Sequence, residues 1–152
     1  NLGSTGLGLA VETLRKQVDA DGHPIAISPK FLVVPPELEA TADSLYASTN
    51  IVMATDAAVP DSNPYKGKYQ PQVTPYLSNA NYTGNSAKAW YLFGDPADVA
   101  AFGIAYLDGN EQPTVEQVDA GANVLGWNWR GYFDFGVCQI DPRGAVKSKG
   151  EA

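Results

Sequence analysis

With 152 residues, 44% of them apolar and 18% charged, the chain is sized for one ordinary domain that buries roughly 70% of its unfolded surface. A formal charge of −7 argues against a general grip on nucleic acid, which needs clustered Lys and Arg. No run approaches the ~20 apolar residues of a membrane span, and the single cysteine, Cys138, has no partner for an internal disulfide.

Fifteen glycines and eleven prolines point to a turn-rich chain that contains strands. Ser4 or Thr5 is placed to cap a helix over 5–18, in which Leu7, Ala10, Leu14 and Val18 share a face. Gly22, in "DADG", is suited to the left-handed residue that ends it. "PIAISPKFLVV" then predicts a buried strand or a pair of short ones, with Val34 held extended by the proline that follows. Pro36 fits the first turn of a second helix, where its missing N–H is no loss. Leu38, Ala42 and Leu45 recur on one face of that helix, and Glu37 and Glu39 sit at its positive end. Residues 31–48 thus predict a strand-to-helix corner.

Residues 49–64 read as a polar connection. "KYQPQVTPYL" is extended, but Pro71 and Pro75 confine it to a sheet edge, and the stretch after it, through residue 86, reads as an exposed loop. "AWYLFG", residues 89–94, is the strongest buried strand by composition. "DPADVAA" makes a turn or a helical turn, and "FGIAYLDG" ends in Asp108-Gly109, a hairpin signal. The segment from Gln112 to Asp119 is amphipathic and leaves helix and strand open. From Trp127, one face carries Trp129, Gly131, Phe133, Phe135 and Val137; the other carries Asn128, Arg130, Tyr132 and Asp134. That alternation predicts one long strand with a buried face. "DPRG" breaks it, and Arg143, Lys147 and Lys149 beyond are read as a solvated tail in preference to a basic patch. Helices mixed irregularly with strands give the α+β class.

Chemistry is sparse. His23 is the only histidine, so a His-based triad or multi-His metal site within one chain is ruled out; in "DGHP" it reads as an exposed loop residue. Cys138 reads as a small buried apolar group in preference to a nucleophile. "GSTGLG" lacks the preceding strand and the following Gly-Lys-Ser/Thr of a phosphate loop. "DADG" lacks the downstream glutamate of a calcium loop and reads as a turn. Seventeen acids offer many accidental pairs, so a carboxylate pair for an acid-base hydrolase is not legible in sequence. The aromatics at 127, 129, 132, 133 and 135 would suit a sugar-stacking platform, but their alternation favours a sheet core. Exposed Trp127 and Trp129 would shift the balance towards a carbohydrate-binding module or adhesin. No catalytic, cofactor-binding or metal residue is assigned, and no cofactor is expected.

Five segments in order carry a family resemblance: "AISPKFLVVPPELEATADSLYAST", "NPYKGKYQPQVTPYLS", "AWYLFGDP", "AYLDGNEQPTVE" and "NWRGYFDFGVCQIDPRGAVKSKGEA". From about residue 7 onward the chain resembles the C-terminal half of a tailed-phage major capsid protein, closest to the Mu-like (prophage) major head subunit group. That resemblance implies the HK97-like fold, an α+β subunit with axial A and peripheral P domains and a mixed sheet with flanking helices. It implies one structural unit over 1–152, with 25–125 mainly A-domain-like and 1–24 and 126–152 P-domain-like or connecting. The helix over 5–18 would pack against the sheet. The chain is short for a complete subunit and opens on Asn1, so an N-terminal truncation is expected. The implied role is a non-enzymatic virion protein, made in the bacterial cytoplasm, that self-assembles with identical subunits into pentamers and hexamers of an icosahedral shell around DNA. Scaffold or protease would be further partners during assembly; sequence-specific nucleic acid and membrane would not. The loops at 54–68 and 78–86 are the expected intersubunit surfaces.

Overall fold

The computed structural model describes residues 1–51, 61–119, 121 and 125–150. In chain order the elements are α1 (Ser4–Arg15), β1 (Pro29–Val34), α2 (Glu39–Ala47), β2 (Asn50–Ile51), β3 (Asp61–Ser62) and β4 (Gln70–Val73). They continue with β5 (Trp90–Gly94), β6 (Phe102–Tyr106), β7 (Thr114–Val118), β8 (Asn128–Tyr132), β9 (Phe135–Gln139) and β10 (Ala145–Ser148). The chain divides into two compact units, Asn1–Ala101 with Asp141–Ala152, and Phe102–Ile140.

The first unit is a mixed α+β layer pair. Its sheet runs β10-β5-β1-β4, with β1 antiparallel to β5 and parallel to β4, and β10 antiparallel to β5. Alternation along β1 and β5 turns Leu32, Val34, Trp90 and Leu92 to one face, each at most 1% exposed. Leu7, Ala10 and Leu14 of α1 and Ala42 and Leu45 of α2 close over the same face in a single apolar cluster. Each large side chain buried there contributes about 1.5–3 kcal/mol. The opposite face, with Phe31, Val33 and Tyr91, is half-buried.

The strand-to-helix corner forms as the sequence predicts. Pro35 stays extended, Pro36–Leu38 make a single tight turn, and α2 starts at Glu39. Neither proline has an N–H to extend the ladder, and the Val34 carbonyl instead accepts from the Thr74 N–H at 3.0 Å. β4 lies at the sheet edge, where Pro71 is tolerated. "AWYLFG" is the central buried strand β5. The connection over 49–64 holds the short β2–β3 ladder; residues 52–60 lie outside the described residues.

Four expectations in this unit are corrected. Helix α1 is preceded by Gly3 and has no side-chain cap, so neither Ser4 nor Thr5 serves as one. It stops at Arg15, short of Val18, because the chain turns into a bridge between Val18 and Pro24. Gly22, at φ +84°, serves that turn and not the helix end. The C-terminal stretch is not a solvated tail: β10 is an edge strand of the main sheet, and Arg143 is tied to Asp141 and to the Val18 carbonyl. Gly150 closes this edge at φ +70°, where an added Cβ would lie 1.9 Å from the Lys88 carbonyl oxygen.

The second unit is a two-stranded ribbon in two stages. β6 pairs antiparallel with β9, and β7 antiparallel with β8. The long strand expected over 127–138 is therefore two strands broken at Phe133-Asp134. Opposite the break, Leu107–Gly109 form a tight turn with Asp108 at φ +54°. The Asp108-Gly109 signal thus marks a jog that joins β6 to β7, not a reversal. The Leu107 N–H donates to the Asp134 carbonyl at 3.2 Å across the jog, keeping both stages in register. The segment after Gln112 resolves as strand β7.

Candidate functional site

Directly opposed residues of an antiparallel pair share a face, so the ladder of the ribbon reads out its surfaces. In the first stage Ile104 opposes Val137 and Tyr106 opposes Phe135. Phe133 joins them, its ring centroid 5.9 Å from that of Tyr106 and 5.3 Å from that of Phe135. The reverse face pairs Gly103 with Cys138 and Ala105 with Gly136, a strip of small side chains across which Ile140 folds onto Gly103. One face is bulky and apolar, the other flat.

In the second stage the faces differ in charge. Thr114, Glu116 and Val118 oppose Tyr132, Arg130 and Asn128; Glu116 and Arg130 form an ion pair, and the Arg130 guanidinium lies 5.9 Å from the centre of the Tyr132 ring. Val115 and Gln117 oppose Gly131 and Trp129 on the other side.

None of the described residues of 102–140 is buried. Trp127 and Trp129 are 77% and 66% exposed, and Phe135 is 59% exposed. This corrects the expected buried face: period-two alternation sorts side chains between two faces but does not say that a second layer covers either. Cys138 is likewise exposed and not a buried apolar group.

The other singled-out residues are placed plainly. His23 is exposed, as expected; with Asp19 and Asp21 it could offer ligand atoms to a metal, but all three are exposed. Asp19 Oδ1 already accepts from the backbone N–H groups of Asp21 at 2.9 Å and His23 at 2.8 Å, which is the work of a turn. A cleft of about 160 Å³ lies at the ribbon jog, lined by Asp108, Asp134, Asn110 and Tyr132 among others; both carboxylates are exposed. No polar or charged side chain among the described residues is buried, and Trp90 Nε1 is the single buried side-chain donor found without a partner among them.

The loop at 78–86 is exposed apart from Ser78 and Ser86 at its two ends, and Ser86 ties it back through its N–H to the Leu77 carbonyl at 2.7 Å. Of the loop at 54–68, residues 54–60 lie outside the described residues. Its remainder is anchored: Asn63 bonds the end of α2 and the Tyr65 hydroxyl donates to the Ser4 carbonyl at 3.0 Å. Among the described residues no helix is long and apolar enough to cross a membrane.

A family model described as phage capsid protein matches residues 1–148. No curated protein and no solved structure matches the chain.

Proposed function

The chain belongs to the phage capsid protein family, and from that premise we propose that it is the major head subunit, self-assembling into the icosahedral shell that encloses phage DNA. Family membership gives it a structural role in the virion, in assembly with other capsid subunits. The observation that carries the finer reading is the extent of the match, residues 1–148 of 152, together with a ribbon whose apolar side chains face solvent.

Repeated heterologous contacts close into rings of five and six, and rings join into a lattice. Each contact need only be weak, because many act together. A net charge of −7 keeps stray copies apart until complementary edges meet. The proposal extends to an HK97-like subunit of the Mu-like group, without enzymatic activity, made in the host cytoplasm and assembled with help from a scaffold or protease. It also takes 25–125 as mainly A-domain-like and 1–24 and 126–152 as P-domain-like or connecting. Electron microscopy of the full-length protein expressed with its phage partners tests it: closed shells containing the chain are the expected result, and persistent monomers at high concentration count heavily against it.

One observation favours a second reading. Exposed Trp127 and Trp129 are what a carbohydrate-binding module or adhesin would present, since aromatic faces stack on sugar rings. Tryptophan fluorescence titrated with oligosaccharides discriminates. A saturable shift lost in Trp127→Ala and Trp129→Ala would promote this reading over the shell.

A further inference from the structure

We propose that Asp108, at the ribbon jog, is a site of spontaneous covalent modification, isomerising through a cyclic imide to an isoaspartyl link. The chain holds two Asp-Gly pairs, Asp21-Gly22 and Asp108-Gly109, and the fold separates them.

Asp-Gly favours this chemistry because glycine carries no Cβ to hinder the approach of its nitrogen. The Gly109 amide nitrogen attacks the carbon of the Asp108 side-chain carboxyl. A nitrogen–carbon bond forms, and the amide hydrogen and the carboxyl hydroxyl leave together as water. Water then opens the imide at either carbonyl. Opening at the side-chain carbonyl restores aspartate; opening at the main-chain carbonyl leaves the peptide running through the side chain. Water is the only co-reactant.

Ring closure needs the glycine nitrogen swung over the aspartate side chain, away from the ψ of +22° at Asp108. Asp108 and Gly109 are both exposed, and nothing lies within 4 Å of the place a Gly109 Cβ would take. One backbone bond spans the turn, from the Asn110 N–H to the Leu107 carbonyl at 3.1 Å, and the Gly109 N–H makes none among the described residues. At the other pair three bonds resist the same rotation. The Gly22 N–H donates to the Asp19 carbonyl at 3.2 Å, the His23 N–H to Asp19 Oδ1 at 2.8 Å, and the Asp19 N–H to the His23 carbonyl at 2.9 Å. The attacking nitrogen is there itself engaged. Each bond holds back such an opening by roughly two- to tenfold, so two more of them make Asp21 slower by roughly 5- to 100-fold.

The isoaspartyl link adds a further backbone carbon inside the jog. There the Leu107 N–H meets the Asp134 carbonyl at 3.2 Å. The opposing chain, through Phe133-Asp134, gains nothing, so β6–β9 and β7–β8 cannot both keep their pairing.

Incubation of the native full chain near neutral pH in water enriched in heavy oxygen tests this, because each passage through the imide leaves a heavy oxygen in the product. Peptide mapping with electron-transfer fragmentation assigns the label and the isoaspartate. Label is expected at Asp108 about fivefold or more faster than at Asp21, and in urea the two sites are expected to label alike. Asp108→Glu keeps the charge, moves the carboxyl out of register for ring closure, and should take up no label at that position. Hydrogen exchange on aged protein is expected to show the Leu107 and β7 amides less protected than in aged Asp108→Glu. Equal labelling of the two sites in the native chain, a faster Asp21, or a difference that persists in urea would each overturn the assignment. So would an unlabelled native Asp108 after the urea sample has labelled. Unchanged exchange in isoaspartate-rich protein would overturn the loss of register.

Discussion

The guanidinium of Arg143 holds Asp141 by both carboxylate oxygens, from Nε at 3.0 Å to each and from Nη2 at 2.6 Å to Oδ2. The Arg143 N–H adds a backbone bond to Oδ1 at 2.9 Å. Arg143's side-chain bonds, reinforced by that backbone bond, lower the Asp141 carboxyl to about 2. A carboxyl depressed in the folded state contributes stability that is complete above its unfolded value, about 4, and is lost as pH falls through the folded one. The melting-temperature gap between the wild type and Arg143→Gln should therefore be constant above about pH 5 and narrow towards pH 2. A gap that stays the same at pH 2 would assign the effect to packing of the arginine stem.

Asn63 staples the end of α2 to the chain that follows. Its Nδ2 donates to the carbonyls of Leu45 at 2.7 Å and Ser48 at 2.9 Å, and its Oδ1 accepts from the Tyr65 N–H at 2.9 Å. The last carbonyls of a helix have no partner within it, so removing the amide leaves part-buried acceptors unsatisfied. Asn63→Ala should cost about 1–3 kcal/mol in urea unfolding. Asn63→Asp keeps the acceptor but loses both donated bonds, and should be no more stable than the alanine variant; wild-type stability in the aspartate variant would show that those bonds carry nothing.

Trp90 fills the core at 1% exposure, yet its indole N–H has no partner among the described residues. An unpaired buried donor is a standing cost, so two substitutions should separate widely. Trp90→Phe trades ring volume for relief of that donor and should cost no more than ~2 kcal/mol, whereas Trp90→Ala leaves a cavity costing about 3–5 kcal/mol. Equal losses in chemical denaturation would mean that the N–H is satisfied in solution.

Cys138 tests the exposure of the ribbon directly. It lies on the small-residue face, opposite Gly103. In dilute native protein a thiol reagent should label one site per chain at close to the rate seen in urea. Labelling slowed a hundredfold or more would show that this face is covered.

The corner over 31–48 was legible in sequence because its causes are local: Pro35 and Pro36 lack the N–H a ladder needs, and Leu38, Ala42 and Leu45 repeat with the helical period. β5 was legible for a similar reason, its apolar run being too dense for a solvated segment. The class, α+β, followed from such elements. The aromatics of the candidate site were legible as a set, and so was their alternation from Trp127.

Their environment was not. The same two-residue period describes a strand under a second layer and a strand with a single neighbour, so nothing in the order of residues 127–138 separates a core from an open face. Nor does it reveal the break at Phe133-Asp134, which is set by the jog at Leu107–Gly109, some 25 residues earlier in the chain. Arg143 and Lys147 looked like a tail because β5, the strand that recruits β10, lies about 50 residues upstream. Local backbone preference and side-chain period thus determined both helices, β1, β5 and the extended character of 127–138, but left β7 open and took β10 for a tail. Pairing between distant segments decided which of those faces meet water, because burial belongs to a pair of surfaces and not to either one.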